Sequence, residues 1–230
     1  MSRPVIILNL KSYKEALGDK SKGILYIVEE VAKAYQKIDF VIAPNIAHLS
    51  ELASRKQRVR IFAQHCDPVP LGAYTGHLPL RALKMLGVDG TIINHSEKPV
   101  SFDVISKIVN EAKTCGIEVV ACGGNLETKP LIASLKPRYV AFEPPELIGT
   151  GISVSRARPE DLKASIGFIL RNSDNKSIPI CGAGISSGED VKLALEYGAL
   201  GILVASAFVK AKDKKEKLIE FASAIESALS

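Results

Sequence analysis

Three side chains in the sequence are of the kinds that move protons beside a negative charge: Lys11, His95 and Glu143. Each closes an apolar run. Lys11 ends Asn9-Leu10-Lys11, His95 stands in Asn94-His95-Ser96-Glu97, and Glu143 follows Phe142 and precedes Pro144. A carboxylate and a histidine together can take a proton from carbon and offer one to oxygen. A lysine beside them supplies fixed positive charge. Two further run-ends carry small residues, Gly182-Ala183-Gly184 and Ala205-Ser206. With no bulky side chain in the way, backbone N–H groups there can approach phosphate oxygens. Types and positions together point to acid–base chemistry on a small phosphorylated substrate. Taken singly, the same residues read as a surface lysine, a partly buried histidine and a helix-capping glutamate. Only their joint placement favours chemistry.

The elements that must bring these groups together are eight short apolar runs, at 5–10, 40–43, 59–64, 91–94, 118–121, 139–142, 178–181 and 201–204. They are rich in β-branched residues and apolar on both faces, as buried parallel strands are. Amphipathic stretches lie between them. Ile24 to Ile38 and Phe102 to Cys115 carry apolar residues at helical spacing, and Gly116 stops the second. Leu162 to Leu170 follows Pro159-Glu160-Asp161, a first-turn composition. Ser187-Gly188-Glu189-Asp190 opens a capped helix that Gly198 ends, and a last helix runs from Lys214 to Leu229. The segment after Leu78 and the connection between the fifth and sixth runs leave room only for short helices. This alternation predicts an α/β fold, a single (β/α)₈ TIM barrel over residues 1–230 with shortened peripheral helices. Periodicity alone would also allow an open doubly wound sheet. In a barrel, the C-terminal strand ends share one rim, which is where the chemical residues fall.

Composition fits a globular chain with a real core: 47% hydrophobic, 24% charged, net charge +5. The charge suits an anionic substrate. The cluster of lysines from Lys210 to Lys217 alternates in sign and reads as a solvated helix start. Without tryptophan and without a basic stripe, nucleic-acid binding is not expected. No run is long and apolar enough for a membrane span, and Met1-Ser2-Arg3-Pro4 leads directly into an apolar strand. The expectation is a cytoplasmic protein. Cys66, Cys115, Cys122 and Cys181 lack metal-ligand spacing and read as small buried residues or strand-end thiols.

Four segments in order make the reading specific: Asn9-Leu10-Lys11, Gly72-Ala73-Tyr74-Thr75-Gly76, His95-Ser96-Glu97, and Phe142-Glu143-Pro144 with Ile148-Gly149-Thr150-Gly151. Together they resemble the triosephosphate isomerase family, in its compact archaeal branch, over nearly the whole chain. The resemblance implies a cofactor-free and metal-free isomerase. In it, Glu143 moves the proton between neighbouring carbons, His95 donates to the enediolate as the neutral imidazole known in this family, and Lys11 supplies positive charge. Asn9 places Lys11 and polarises the substrate oxygen. Glu97 is implied as the buried partner of Lys11. Gln64 is read as a brace of the first and fourth strands. Ser96-Glu97 reads as the start of a short helical turn behind the imidazole.

Ile148, Gly149, Gly184, Ala205 and Ser206 are implied to hold substrate and phosphate, with 144–151 as a mobile lid. Thr75 is implied as an inter-subunit contact in a homo-oligomer, a tetramer before a dimer. The chain departs from the usual family pattern at Pro145-Glu146, at Gly184, at Ala205-Ser206 and at Asn125. Two competing readings are a barrel isomerase for a larger sugar phosphate and a barrel that has lost catalysis. The Asn-x-Lys and lid sequences disfavour the first. Intact Lys11, His95 and Glu143 disfavour the second.

Overall fold

The computed structural model describes residues 2–123, 128–143 and 154–229, without the side chains at 128, 129 and 154. Asn125, Pro145, Glu146, Ile148 and Gly149, with the rest of the expected lid, lie outside the described residues. Eight parallel strands close in sequence order into a barrel: β1 (Val5–Asn9), β2 (Asp39–Ala43), β3 (Arg60–Ala63), β4 (Gly90–Ile93), β5 (Glu118–Gly123), β6 (Tyr139–Phe142), β7 (Ile178–Cys181) and β8 (Gly201–Val204). β1 pairs with both β2 and β8, so the two ends of the chain complete the ring.

Two apolar layers follow from the two-residue period of a strand. Val5, Ile7, Val41, Phe62, Val120 and Ile180 belong to the smaller cluster, the filling of the barrel. Ile6, Leu8, Phe40, Ile42 and Ile61 point the other way and join the larger cluster shared with the helices. Gly90 makes room inside: a Cβ there would lie 2.6 Å from the Phe62 ring. The barrel floor, at the N-terminal strand ends, is closed by charge. Arg60 reaches Asp39 at 3.1 Å and the Tyr139 hydroxyl at 2.9 Å, and it also pairs with Glu118. Its guanidinium lies over the rings of Phe62 and Tyr139.

The helices largely follow their sequence signals. The fourth-strand helix spans Phe102–Cys115 and stops at Gly116 in the left-handed conformation. The helix after β7 spans Gly188–Glu196, with the expected capping box between Ser187 and Asp190. Short helices, Leu80–Met85 and Thr128–Ser134, fill the two tight connections. The first helix is displaced from its apolar signal: it runs Asp19–Ala34. Its opening turn, Asp19 to Lys22, is polar throughout, so apolar periodicity does not mark it. Among the described residues no helix is long and apolar enough to cross a membrane.

Candidate active site

The rim begins with a locally strained turn after β1. Lys11 adopts φ +48°, unfavourable for a residue with a Cβ. Two neighbours hold it there. The Asn9 carboxamide oxygen accepts the Lys11 N–H at 3.1 Å, and Gln64 Nε2 donates to the Lys11 carbonyl at 3.1 Å and to the Ala43 carbonyl at 2.9 Å. Gln64 therefore braces the first and second strands, not the first and fourth. It does so because the residue after β3 faces the carbonyl leaving its neighbour β2 and reaches past it to the turn after β1. The Lys11 ammonium pairs with Glu97 Oε1 at 2.7 Å, as expected, but Glu97 is 57% exposed in the single chain and is not a buried partner.

The turn after β4 carries the histidine. Asn94 also has a positive φ, +59°, and its side chain spans the turn: Oδ1 accepts from Val100 N–H at 3.0 Å and Nδ2 donates to the Cys122 carbonyl at 2.8 Å. His95 is buried. Its Nδ1 accepts the Glu97 N–H at 3.1 Å. A nitrogen that accepts carries no proton, so this bond describes the neutral tautomer with hydrogen on Nε2. Ser96 and Glu97 form a turn, with Lys98 N–H on the His95 carbonyl at 2.8 Å, and no helix begins there. One backbone amide takes the place expected of a helix N-terminus.

Glu143 leaves β6 directly into the barrel mouth and is 3% exposed. Its Oε1 lies 3.7 Å from His95 Nε2, and its Oε2 has no hydrogen-bond partner among the described residues. Burial raises the Glu143 pKa above the usual carboxylate range, against the opposing pull of His95, the Cys122 thiol and Lys11. The Cys122 thiol is itself pushed well above its ordinary value by burial and by the Glu143 charge. The space that Glu143 occupies exists because position 182 is glycine. A Cβ on Gly182 would sit 2.9 Å from the Glu143 carboxyl carbon.

Lys11, His95, Glu143, Gly184, Ala205 and Ser206 line one cavity of about 340 Å³, with Asn9 and Gly182. The strand-end turns after β7 and β8 thus face the same space as Lys11, His95 and Glu143. Gly184 has φ +71°, a left-handed turn open to glycine. This turn is fastened from below by Asp190, which accepts from the backbone N–H and hydroxyl groups of both Ser186 and Ser187 and from Arg156 at 2.5 Å. Burial pushes Asp190 up, but these donors outweigh it and hold its pKa below the usual range. A second hollow of about 530 Å³ adjoins the first, beside Lys11, Gln64, His65 and Glu97. Thr75 lies on an exposed loop, with His77 Nδ1 3.4 Å from its carbonyl oxygen.

Other polar residues have structural roles. His48 accepts the Gly18 N–H at 2.9 Å, and His65 contacts Asp67 at 3.2 Å. All four cysteines are free thiols. Sequence reasoning missed Gly182 as the seat of Glu143 and Asn94 as the clamp of the histidine turn. The Gly-Ala-Gly after β7 was a signal for the first. For the second, an asparagine between a strand and the histidine was a signal of a left-handed turn.

A family model described as triosephosphate isomerase matches residues 4–227. Among curated relatives, the triosephosphate isomerase of Methanocaldococcus jannaschii is 41% identical over 217 residues, 94% of this chain and 97% of the relative. That of Pyrobaculum islandicum is 41% identical over 222 residues, 96% of each chain. That of Caldivirga maquilingensis is 42% identical over 223 residues, 96% of this chain and 97% of the relative.

Proposed function

The chain belongs to the triosephosphate isomerase family, and from that premise we propose how its own residues carry the reaction. The family's activity is the interconversion of dihydroxyacetone phosphate and glyceraldehyde 3-phosphate, an intramolecular aldose–ketose isomerisation in glycolysis. Glu143 takes a proton from the hydroxymethyl carbon of dihydroxyacetone phosphate, and the electron pair moves toward the carbonyl oxygen. The Nε2–H of His95 gives its proton to the former carbonyl oxygen of the resulting enediolate, and the ring takes back the hydroxyl proton of the neighbouring carbon, so that one proton passes between the two oxygens. Glu143 then returns the proton to the former carbonyl carbon. Lys11 stabilises the negative charge throughout. Asn9 holds Lys11 and offers its carboxamide to the substrate oxygen.

The observation that carries this reading is the buried Glu143 carboxyl, whose Oε2 has no hydrogen-bond partner among the described residues, in the same cavity as the Nε2 of a neutral His95. A carboxylate with one oxygen left without a hydrogen bond among the described residues can meet a carbon acid, and a dry seat strengthens its basicity. The phosphate falls to the backbone N–H groups around Gly184, Ala205 and Ser206. The Ile148-Gly149 segment closes over it as a lid, on the strength of the resemblance.

We place the protein in the cytoplasm, as a homotetramer before a dimer, with Thr75 reaching a neighbouring copy. The exposed Glu97 beside an empty-sided hollow supports such a covering neighbour. Light scattering behind size exclusion reads the assembly. The reaction itself is tested by a coupled assay on glyceraldehyde 3-phosphate with chelator present. Fast conversion that Glu143→Gln lowers by about 10³–10⁴-fold supports Glu143 as the base. Undiminished turnover in that variant removes it.

A further inference from the structure

The reaction cavity has a second lysine in its wall. Lys210 lines it together with Gly184, Ala205 and Ser206. We propose that Lys210 is a phosphate-binding residue, a side-chain cation for the phosphodianion of the substrate. This rests on the reading of the cavity as the reaction site.

The backbone explains how an exposed lysine comes to face inward. A single-turn helix, Ser206–Val209, follows β8, and the Lys210 N–H closes that turn on the Ser206 carbonyl at 2.9 Å. Residues four apart on a helix share a face, and side chains lean back toward the helix start. Lys210 therefore leans toward Ser206 and the cavity mouth. Its ammonium rests 4.8 Å from the centre of the Tyr13 ring, and Tyr13 lines the same cavity.

The charge pattern distinguishes the two lysines. Lys11 is bound to Glu97 at 2.7 Å, so part of its charge is already answered. Lys210 forms no ion pair among the described residues. A cation resting on an aromatic face is held by a contact that an anionic ligand outcompetes. A phosphate between Gly184 and Ser206 would offer that ligand, with one lysine left for the enediolate and the other for the phosphodianion.

The test is Lys210→Met beside Lys210→Arg and Lys212→Met. Lys212 lines a neighbouring open groove, which Lys210 also borders, and not the reaction cavity. Lys210→Met is expected to raise KM for glyceraldehyde 3-phosphate, and the dissociation constant of inorganic phosphate, about tenfold each. It should leave kcat within about twofold, because a contact made equally in ground and transition states moves KM alone. Lys210→Arg should recover most of the loss. The dependence of kcat/KM on ionic strength should flatten in Lys210→Met and stay unchanged in Lys212→Met.

Unchanged phosphate affinity in a folded Lys210→Met chain overturns the proposal, as does an equal loss in Lys212→Met. A drop in melting temperature with KM preserved does so too, because it marks a purely structural stack on Tyr13. Phosphate binding is read without turnover. A failure of Glu143 as base would therefore appear in the Glu143→Gln assay and leave this measurement intact.

Discussion

The two mouths of the barrel treat charge in opposite ways. At the floor, Arg60 spans Asp39, Glu118 and Tyr139, and Asp89 both pairs with Lys56 and accepts the Ile61 N–H. At the rim, Glu143 is buried with one oxygen lacking a hydrogen-bond partner among the described residues, and Lys11 and Asn94 sit in left-handed backbone. Both mouths are made of strand ends with the same geometry, so the difference lies in the side chains placed there. The floor pairs most of its charges with one another, although Arg138 Nε, 3.7 Å from Glu118, has no hydrogen-bond partner among the described residues. The rim withholds some of its polar groups, at a cost in stability, and so keeps them for a substrate.

The largest expected departure comes from the rim. Lys11→Ala should lower kcat/KM on the order of 10³-fold while the chain stays folded, because it removes charge needed where the enediolate forms. Full retention of rate would take the lysine out of the mechanism. Gly182→Ala should lower kcat by about 10²-fold, because the new methyl shifts the Glu143 carboxyl from its seat by roughly an ångström. A crystal structure showing Glu143 unmoved, with normal kcat, would dissolve that link.

A floor mutation should behave in reverse. Arg60→Met leaves Asp39 and Glu118 without their shared cation and should cost about 3 kcal/mol in a denaturant titration, the low end for a broken interior pair because Arg60 is 24% exposed. Its kcat/KM at a temperature where it is folded should match the parent. A loss of rate in fully folded protein would mean that the mouths are coupled.

The smallest effect sharpens the contrast through pH. Burial raises Glu143 in the folded state above its unfolded value. Its contribution to stability is thus whole below the ordinary carboxylate range, and is lost as pH rises through the raised folded value. Glu143→Gln should therefore be more stable than the parent at neutral pH while almost inactive, read by paired denaturation curves at pH 4 and pH 7. In the parent, kcat/KM should fall as pH drops through the raised Glu143 value. Equal stability of the two chains at both pH values would show that the rim carries no such cost.

Much of this was legible in the residues. Strands buried on both faces show as short apolar runs, and their order gives the barrel once eight are counted. The capping box at Ser187 and the stop at Gly116 are local, so sequence displays them. Lys11, His95 and Glu143 stand at run-ends, where rim residues must stand. What sequence hides is contact between distant run-ends. Nothing near Gln64 tells that its carboxamide reaches the Ala43 carbonyl instead of the fourth strand. Nothing near Glu97 tells that its carboxylate stays open to solvent in the single chain. The Gly182 seat depends on a side chain 39 positions earlier, 182 minus 143, and becomes visible only when β6 and β7 lie side by side.

The pairing of β1 with β8 places Val5 against Gly201 and Leu8 against Val204. Lys11, just after the first strand, and the Ala205-Ser206 turn after the last therefore meet only when the ring shuts. During synthesis at about 5–20 residues per second, the first strand waits roughly 10–40 seconds for its second neighbour. Its apolar residues need interim cover, and local β–α units formed behind the ribosome can provide it. Closing so long a loop adds little extra entropy cost, because that cost grows only with the logarithm of length. It does make the final pairing non-local and slow. A nascent chain lacking its last strand can thus be mostly folded and wholly inactive, so that enzyme activity reports completion of the chain.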